Sequence, residues 1–166
     1  MADRRVMAEL SHIDEKGKAR MVDVSGKAET RREAEAIGFV RMRPETLELV
    51  KKAEIKKGDV LAASRLAGIM AAKKTAELIP LCHIILIENV SVDFEFVGDN
   101  SIKIMARAVS TGKTGVEMEA MVAASVSALT IYDMCKAADR GITIEKVYLQ
   151  KKSGGKSGTY TRGEED

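Results

Sequence analysis

Apolar and polar positions change their period several times along this chain, and each change marks an element. Met21-Val22-Asp23-Val24 alternates as a short strand does, with Ser25-Gly26 as its stop. Between Glu29 and Met42, alanines and charges mix so that helix and strand signals compete, and we place a strand over 37–42. Arg43-Pro44 then punctuates the chain, because the residue before proline is pushed out of the helical region while proline suits a first helical turn. A helix is predicted from 44 to about 51 with Leu47 and Val50 inward, and Lys56-Lys57-Gly58 breaks it. Asp59 is a good N-cap for a second helix through about residue 77, where Leu66, Ile69, Met70 and Ala76 recur at helical spacing. Arg65, Lys73 and Lys74 sit near its polar side, and Pro80 ends the region.

From residue 85 the period becomes two. Val90, Val92, Phe94 and Phe96 alternate with Ser91, Asp93 and Glu95; after the turn Gly98-Asp99-Asn100, Ile102, Ile104, Ala106 and Ala108 alternate with Lys103, Met105 and Arg107. The two runs predict an antiparallel hairpin. A polar glycine turn, Thr111-Gly112-Lys113-Thr114-Gly115, leads into a long helix predicted over 115–138. Its middle, 121–132, carries no charge and is built mostly of small residues, so the helix packs on the sheet and against a second neighbour, which another subunit could supply. A last strand is predicted over 142–150, with a slip of alternation at Lys146 that marks a bulge. Helices, hairpin, helix and strand on one sheet make an α+β fold, a ferredoxin-like antiparallel sheet packed against helices.

The length of 166 residues requires only one domain. We read 1–20 as a loosely held N-terminal segment, with His12 an exposed loop histidine. Residues 21–150 are a single domain, and 151–166 are a flexible tail rich in glycine and lysine. Aromatics are only 4% of the chain, so aliphatics, alanine and nine methionines must fill the core. A net charge of +2 and the lack of aromatic platforms argue against nucleic acid, and the longest apolar runs are too short to span a membrane. Two cysteines make no disulfide framework, and no apolar leader follows the first residues, so the expected setting is the cytoplasm.

Two Gly-Lys-Ser/Thr tripeptides, at 112–114 and 155–157, fail as P-loops, because Arg107 and Gln150 stand where the leading glycine belongs. What survives is a strand-to-helix turn whose free amides and Lys113 could hold an anion, or a plain turn. Asp133 and Lys136, spaced i, i+3, form either a surface ion pair or a perturbed acid/base pair, and their apolar surroundings favour the second. Glu117 and Glu119 point about 200° apart around a helix and do not work as one pair from one face. Cys82 and His83 are adjacent and make a poor nucleophile-base dyad. Two cysteines and two histidines are too few for a structural zinc site, so no metal and no cofactor are expected.

Several long blocks in register carry a resemblance: Leu78-Ile79-Pro80-Leu81-Cys82-His83, the run from Thr111 to Ala120, the run from Ala128 to Ala137, and Lys152-Ser153-Gly154-Gly155-Lys156-Ser157-Gly158. Together with 21–30 and Lys57-Gly58-Asp59-Val60 they closely resemble the cyclic pyranopterin monophosphate synthase family of molybdenum cofactor biosynthesis. The resemblance implies a lyase that converts 3′,8-cyclo-7,8-dihydroguanosine 5′-triphosphate to cyclic pyranopterin monophosphate with release of pyrophosphate. It implies Asp133 as the acid/base centre, with Lys136 beside it and Lys57 as a further catalytic lysine. It implies Leu81, Cys82, His83, Glu117 and Met118 as substrate-pocket residues, Lys152 and Lys156 near the phosphates, and Arg32 as an anion ligand. It further implies a homo-hexamer, a trimer of dimers, with sites at subunit interfaces. One position departs from the family pattern: Ile84 follows His83 where proline is usual. A non-catalytic module that binds a pterin or guanine nucleotide is the alternative reading.

Overall fold

The elements run β1 (Thr30–Arg41), α1 (Pro44–Lys51), α2 (Val60–Ala72), α3 (Thr75–Leu78), β2 (Asn89–Val97), β3 (Ser101–Gly112), α4 (Glu117–Cys135), β4 (Thr143–Ser153) and β5 (Tyr160–Thr161) in a computed structural model. It describes residues 18–163, so the start at 1–17, His12, and Glu164, Glu165 and Asp166 lie outside the described residues. The strands form one sheet in the order β2-β3-β1-β4-β5, and every pairing is antiparallel. With α1, short α3 and β5 set aside, the β-α-β-β-α-β chain order and the spatial order β4-β1-β3-β2 are the ferredoxin-like arrangement expected from the sequence.

The segment where signals compete is one twelve-residue strand, longer than the expected 37–42, and Met42 falls outside it. β1 pairs with β3 on one edge and β4 on the other, and this double ladder outweighs the weak strand preference of alanine and glutamate. Its buried residues include Ala34 and Ala36, small enough to let α4 lie close on the sheet. The bulge expected at Lys146 is present: Phe39 pairs with Lys146 and Val40 with Ile144, so Glu145 is the extra residue.

The second neighbour of α4 is α2 of the same chain. A Cβ on Gly68 would stand 2.2 Å from Ser127 Oγ and 2.8 Å from the Ala123 carbonyl oxygen, so only glycine permits this crossing. Ser127 Oγ donates to the Ser64 carbonyl across it at 3.0 Å. The buried face of α2 is therefore Val60, Ser64, Gly68, Ala71 and Ala72, while the larger Leu66 and Met70 are exposed. Asp59 caps this helix as expected, accepting from the Ala62 amide at 2.9 Å. The helix stops at Ala72 instead of near 77, where Thr75 Oγ1 takes the Ala72 carbonyl at 2.9 Å and a short turn intervenes before α3.

At the other end of the chain, the domain boundary set at 150 falls inside β4. That strand continues to Ser153, turns through Gly154 and Gly155, and is joined by β5, with Lys152 opposite Tyr160.

Candidate active site

Leu81, Cys82, His83, Glu117 and Met118, the five pocket residues implied by resemblance, line a single cavity of about 410 Å³ at the N-terminal end of α4. Val22 and Val24 form another part of its wall. Met21-Val22-Asp23-Val24, expected as a strand, joins no ladder; it is an extended strap over the cavity. His83 Nε2 donates to the Val22 carbonyl at 2.7 Å, and Lys113 Nζ donates to the Ser25 carbonyl at 2.9 Å, so two side chains from the site fasten the strap. That bond fixes the tautomer with its proton on Nε2. It also holds His83 without the family's proline: Ile84 is 91% exposed, and the loop is anchored further on by Ser110 Oγ to the Leu86 carbonyl at 2.7 Å.

Glu119 lines the same cavity, although sequence reasoning set it apart from Glu117. Side chains in a first helical turn lean toward the N-terminus, where this cavity lies, so both carboxylates reach it despite their angular separation. Glu119 is 3% exposed, and no partner meets its Oε2. Burial, with the Glu117 charge nearby as a lesser cause, pushes its pKa up to about 7 against the hydrogen bond from its own amide. Burial and the Glu119 charge also raise the Cys82 thiol, which makes it a weak nucleophile here.

Lys27, Thr114, Gly115 and Glu117 are shared with an adjoining polar hollow of about 150 Å³. Lys27, Arg32, Lys113 and Lys152 bring four cations to its wall, against the carboxylates of Glu33 and Glu117. Lys152 Nζ bridges to Glu117 Oε1 at 2.8 Å, and Arg32 Nε donates to the Gly112 carbonyl at 3.3 Å. α4 starts here behind Val116, which has no polar side chain to cap the first amides, so the turn and helix end add to the anion-binding character. Lys156 lies in the Gly154–Gly158 turn but is not part of this wall. Lys113 enters from the turn already read as a possible anion holder, whereas Lys27 enters from the strap, and an isolated lysine in a polar segment carries no sequence signal that separates it from surface lysines.

Asp133, Lys136 and Lys57 meet at the opposite end of α4. Lys57 Nζ lies 2.7 Å from Asp133 Oδ2 and also donates to the Asp133 carbonyl at 2.9 Å; Lys136 Nζ lies 2.7 Å from Oδ1. The trio is about half exposed, contrary to a reading from apolar neighbours. The apolar residues around Asp133 divide between the core, where Ile131 and Cys135 are buried, and a separate hollow beside Lys57 lined by Leu49, Ile55 and Met134. The two ammonium groups, Lys136 first, hold the Asp133 carboxyl down to about 2, and Asp133 raises Lys136 in return. Glu117 and Asp133 are about 24 Å apart by helix rise, so one chain does not gather the two groups into one pocket. Among the described residues, no three His, Cys, Asp or Glu side chains cluster as a metal site requires, and no helix is long and apolar enough to cross a membrane.

Comparison with known proteins agrees with this geometry. Residues 21–155 match the model of the MoaC family. A protein of Thermomicrobium roseum is 55% identical over 161 residues, which cover 96% of this chain and 97% of the relative. A protein of Novosphingobium aromaticivorans is 57% identical over 95% of this chain and 100% of the relative. One from Thermoanaerobacter pseudethanolicus is 57% identical over 92% and 98%. All three are named cyclic pyranopterin monophosphate synthase. With a family model spanning both the cavity and the Asp133 cluster, and relatives matched nearly end to end, the chain belongs to the MoaC family.

Proposed function

We propose that the chain converts 3′,8-cyclo-7,8-dihydroguanosine 5′-triphosphate to cyclic pyranopterin monophosphate, releasing pyrophosphate, in molybdenum cofactor biosynthesis. The observation that carries this is identity of 55–57% along 92–96% of the chain to three proteins of that name. None of those names supports a non-catalytic binding role. The site supplies what the chemistry demands: cations for a triphosphate, and proton donors and acceptors for ring opening, ring closure and attack of a sugar hydroxyl on the innermost phosphorus.

In this reading the four cations of the polar hollow neutralise the triphosphate and stabilise the charge that grows on the departing pyrophosphate. Lys152 must leave Glu117 to do so, which ties phosphate binding to the freeing of a carboxylate in the adjoining cavity. Glu119, raised to about 7, is protonated in about half of the molecules near neutral pH, and in that form offers a hydrogen bond to the ring system. Asp133 is a weak base while two ammonium groups flank it. When substrate charge draws Lys57 or Lys136 away, its proton affinity rises, and it becomes able to accept a proton only with substrate in place.

Because the two ends of α4 are so far apart, the catalytic trio of one subunit completes the cavity of another, within a homo-hexamer arranged as a trimer of dimers. Exposed Leu66, Met70, Leu129, Ile84 and Leu86 supply apolar surface for such contacts. The protein acts in the cytoplasm. Incubation of the purified chain with the cyclised nucleotide should release pyrophosphate and yield a pterin that becomes fluorescent on oxidation. Substrate binding without either product would overturn the proposal.

A further inference from the structure

β4 leaves the sheet across from the start of β1, through Gly154 and Gly155. Both are in the left-handed region, at φ +101° and +74°. The space that side chains would need there is already filled. A Cβ on Gly154 would stand 2.2 Å from the Arg31 carbonyl oxygen, and one on Gly155 would stand 1.8 Å from Arg32 Nη1 and 2.5 Å from Arg32 Cζ. Gly158, at φ +66° in the same turn, has nothing within 4 Å of its would-be Cβ. Two glycines with the same backbone conformation thus differ in what they face: open space at 158, a guanidinium at 155.

We infer that Gly155 is a positioning residue: the side chain it lacks is the seat in which the Arg32 guanidinium is held at the wall of the polar hollow. The opposite contact is the Gly112 carbonyl, 3.3 Å from Arg32 Nε. Held between the turn and the end of β3, a long side chain loses rotamer freedom before any anion arrives. Its planar fork then meets phosphate oxygens without that cost at binding. The inference concerns the arrangement of the hollow and rests on the reading of that hollow as the phosphate site.

Calorimetric titration of the full chain with inorganic triphosphate separates the two ideas. Arg32→Ala should weaken binding about tenfold or more, the worth of a charge-assisted hydrogen bond. Gly155→Ala should weaken it by a similar factor, and the double variant should bind no worse than Arg32→Ala alone. Gly158→Ala, which brings the same left-handed strain without the contact, should bind as the wild type does. If Arg32→Ala binds triphosphate at full strength, the phosphate reading of the hollow fails. If Arg32→Ala weakens binding but Gly155→Ala does not, or the two losses multiply in the double variant, the positioning role fails while the hollow stands. Should Gly155→Ala unfold, removing the guanidinium should restore folding, and a double variant as unstable as Gly155→Ala alone would equally overturn it.

Discussion

The two ends of α4 carry the same functional group in opposite electrostatic settings. At the N-terminal end Glu119 is enclosed and unpartnered at Oε2, and its pKa rises to about 7. At the C-terminal end Asp133 stands in the open between Lys57 and Lys136, and its pKa falls to about 2. Burial disfavours the charge at one end; two ammonium groups favour it at the other. Near neutral pH the helix therefore offers a carboxyl at its titration midpoint at one end and a full carboxylate at the other, the division of labour that acid/base chemistry needs. A single helix with an uncharged, tightly packed middle maintains both settings by keeping them apart.

The comparison can be broken most severely at the exposed end. Asp133→Asn and Lys57→Ala should each lower turnover by about a thousandfold or more while the oligomer stays intact by size-exclusion chromatography. Full activity in either variant would remove that residue from the proposed catalytic trio. Co-assembly of Asp133→Asn subunits with Lys152→Ala subunits should recover part of the lost turnover, since each supplies the end that the other lacks. The middle of the helix comes next. Gly68→Ala drives a methyl into Ser127 and the Ala123 carbonyl, and should cost about 3 kcal/mol by chemical denaturation.

The enclosed end gives an effect of at most that size and the sharpest sign. The folded pKa of Glu119 lies above its ordinary 4.5, so between pH 4.5 and about 7 the folded chain holds a proton that the unfolded chain has released. Stability contributed by the protonated form is complete below that window, falls across it, and levels off above. Glu119→Gln should flatten the fall by up to roughly 3 kcal/mol in denaturation curves taken at several pH values. An unchanged slope would mean that Glu119 is not the group that titrates.

Period and punctuation made much of this fold legible. The β2–β3 hairpin, α1 after Arg43-Pro44, and the Asp59 cap all follow from local chemistry, and the sheet order follows from the chain order of the elements. What stayed hidden depends on the third dimension. β1 is a strand because two neighbours pair with it, and alanine and glutamate do not announce that. Leu66 and Met70 are exposed because Gly68 and Ser64 claim the close crossing, an inversion of the usual rule that the larger apolar residue faces inward. The placing of Leu81-Cys82-His83 at the cavity and of Asp133 beside Lys57 and Lys136 was anticipated through resemblance. From sequence, Lys113 figures in only one of two readings of its turn, and Lys27 and Glu119 have no role, since the strap and the enclosure that give them meaning exist only when the chain is folded.

The length of α4 sets how activity responds to concentration. In the proposed shared-site arrangement, a spacer of about 24 Å between two halves of one reaction centre would make a lone chain half an enzyme, however well it is folded. Rate per chain then stays constant only while subunits remain associated. In that arrangement, dilution below the subunit dissociation constant would silence the protein without unfolding it, turning subunit abundance into a throttle on flux.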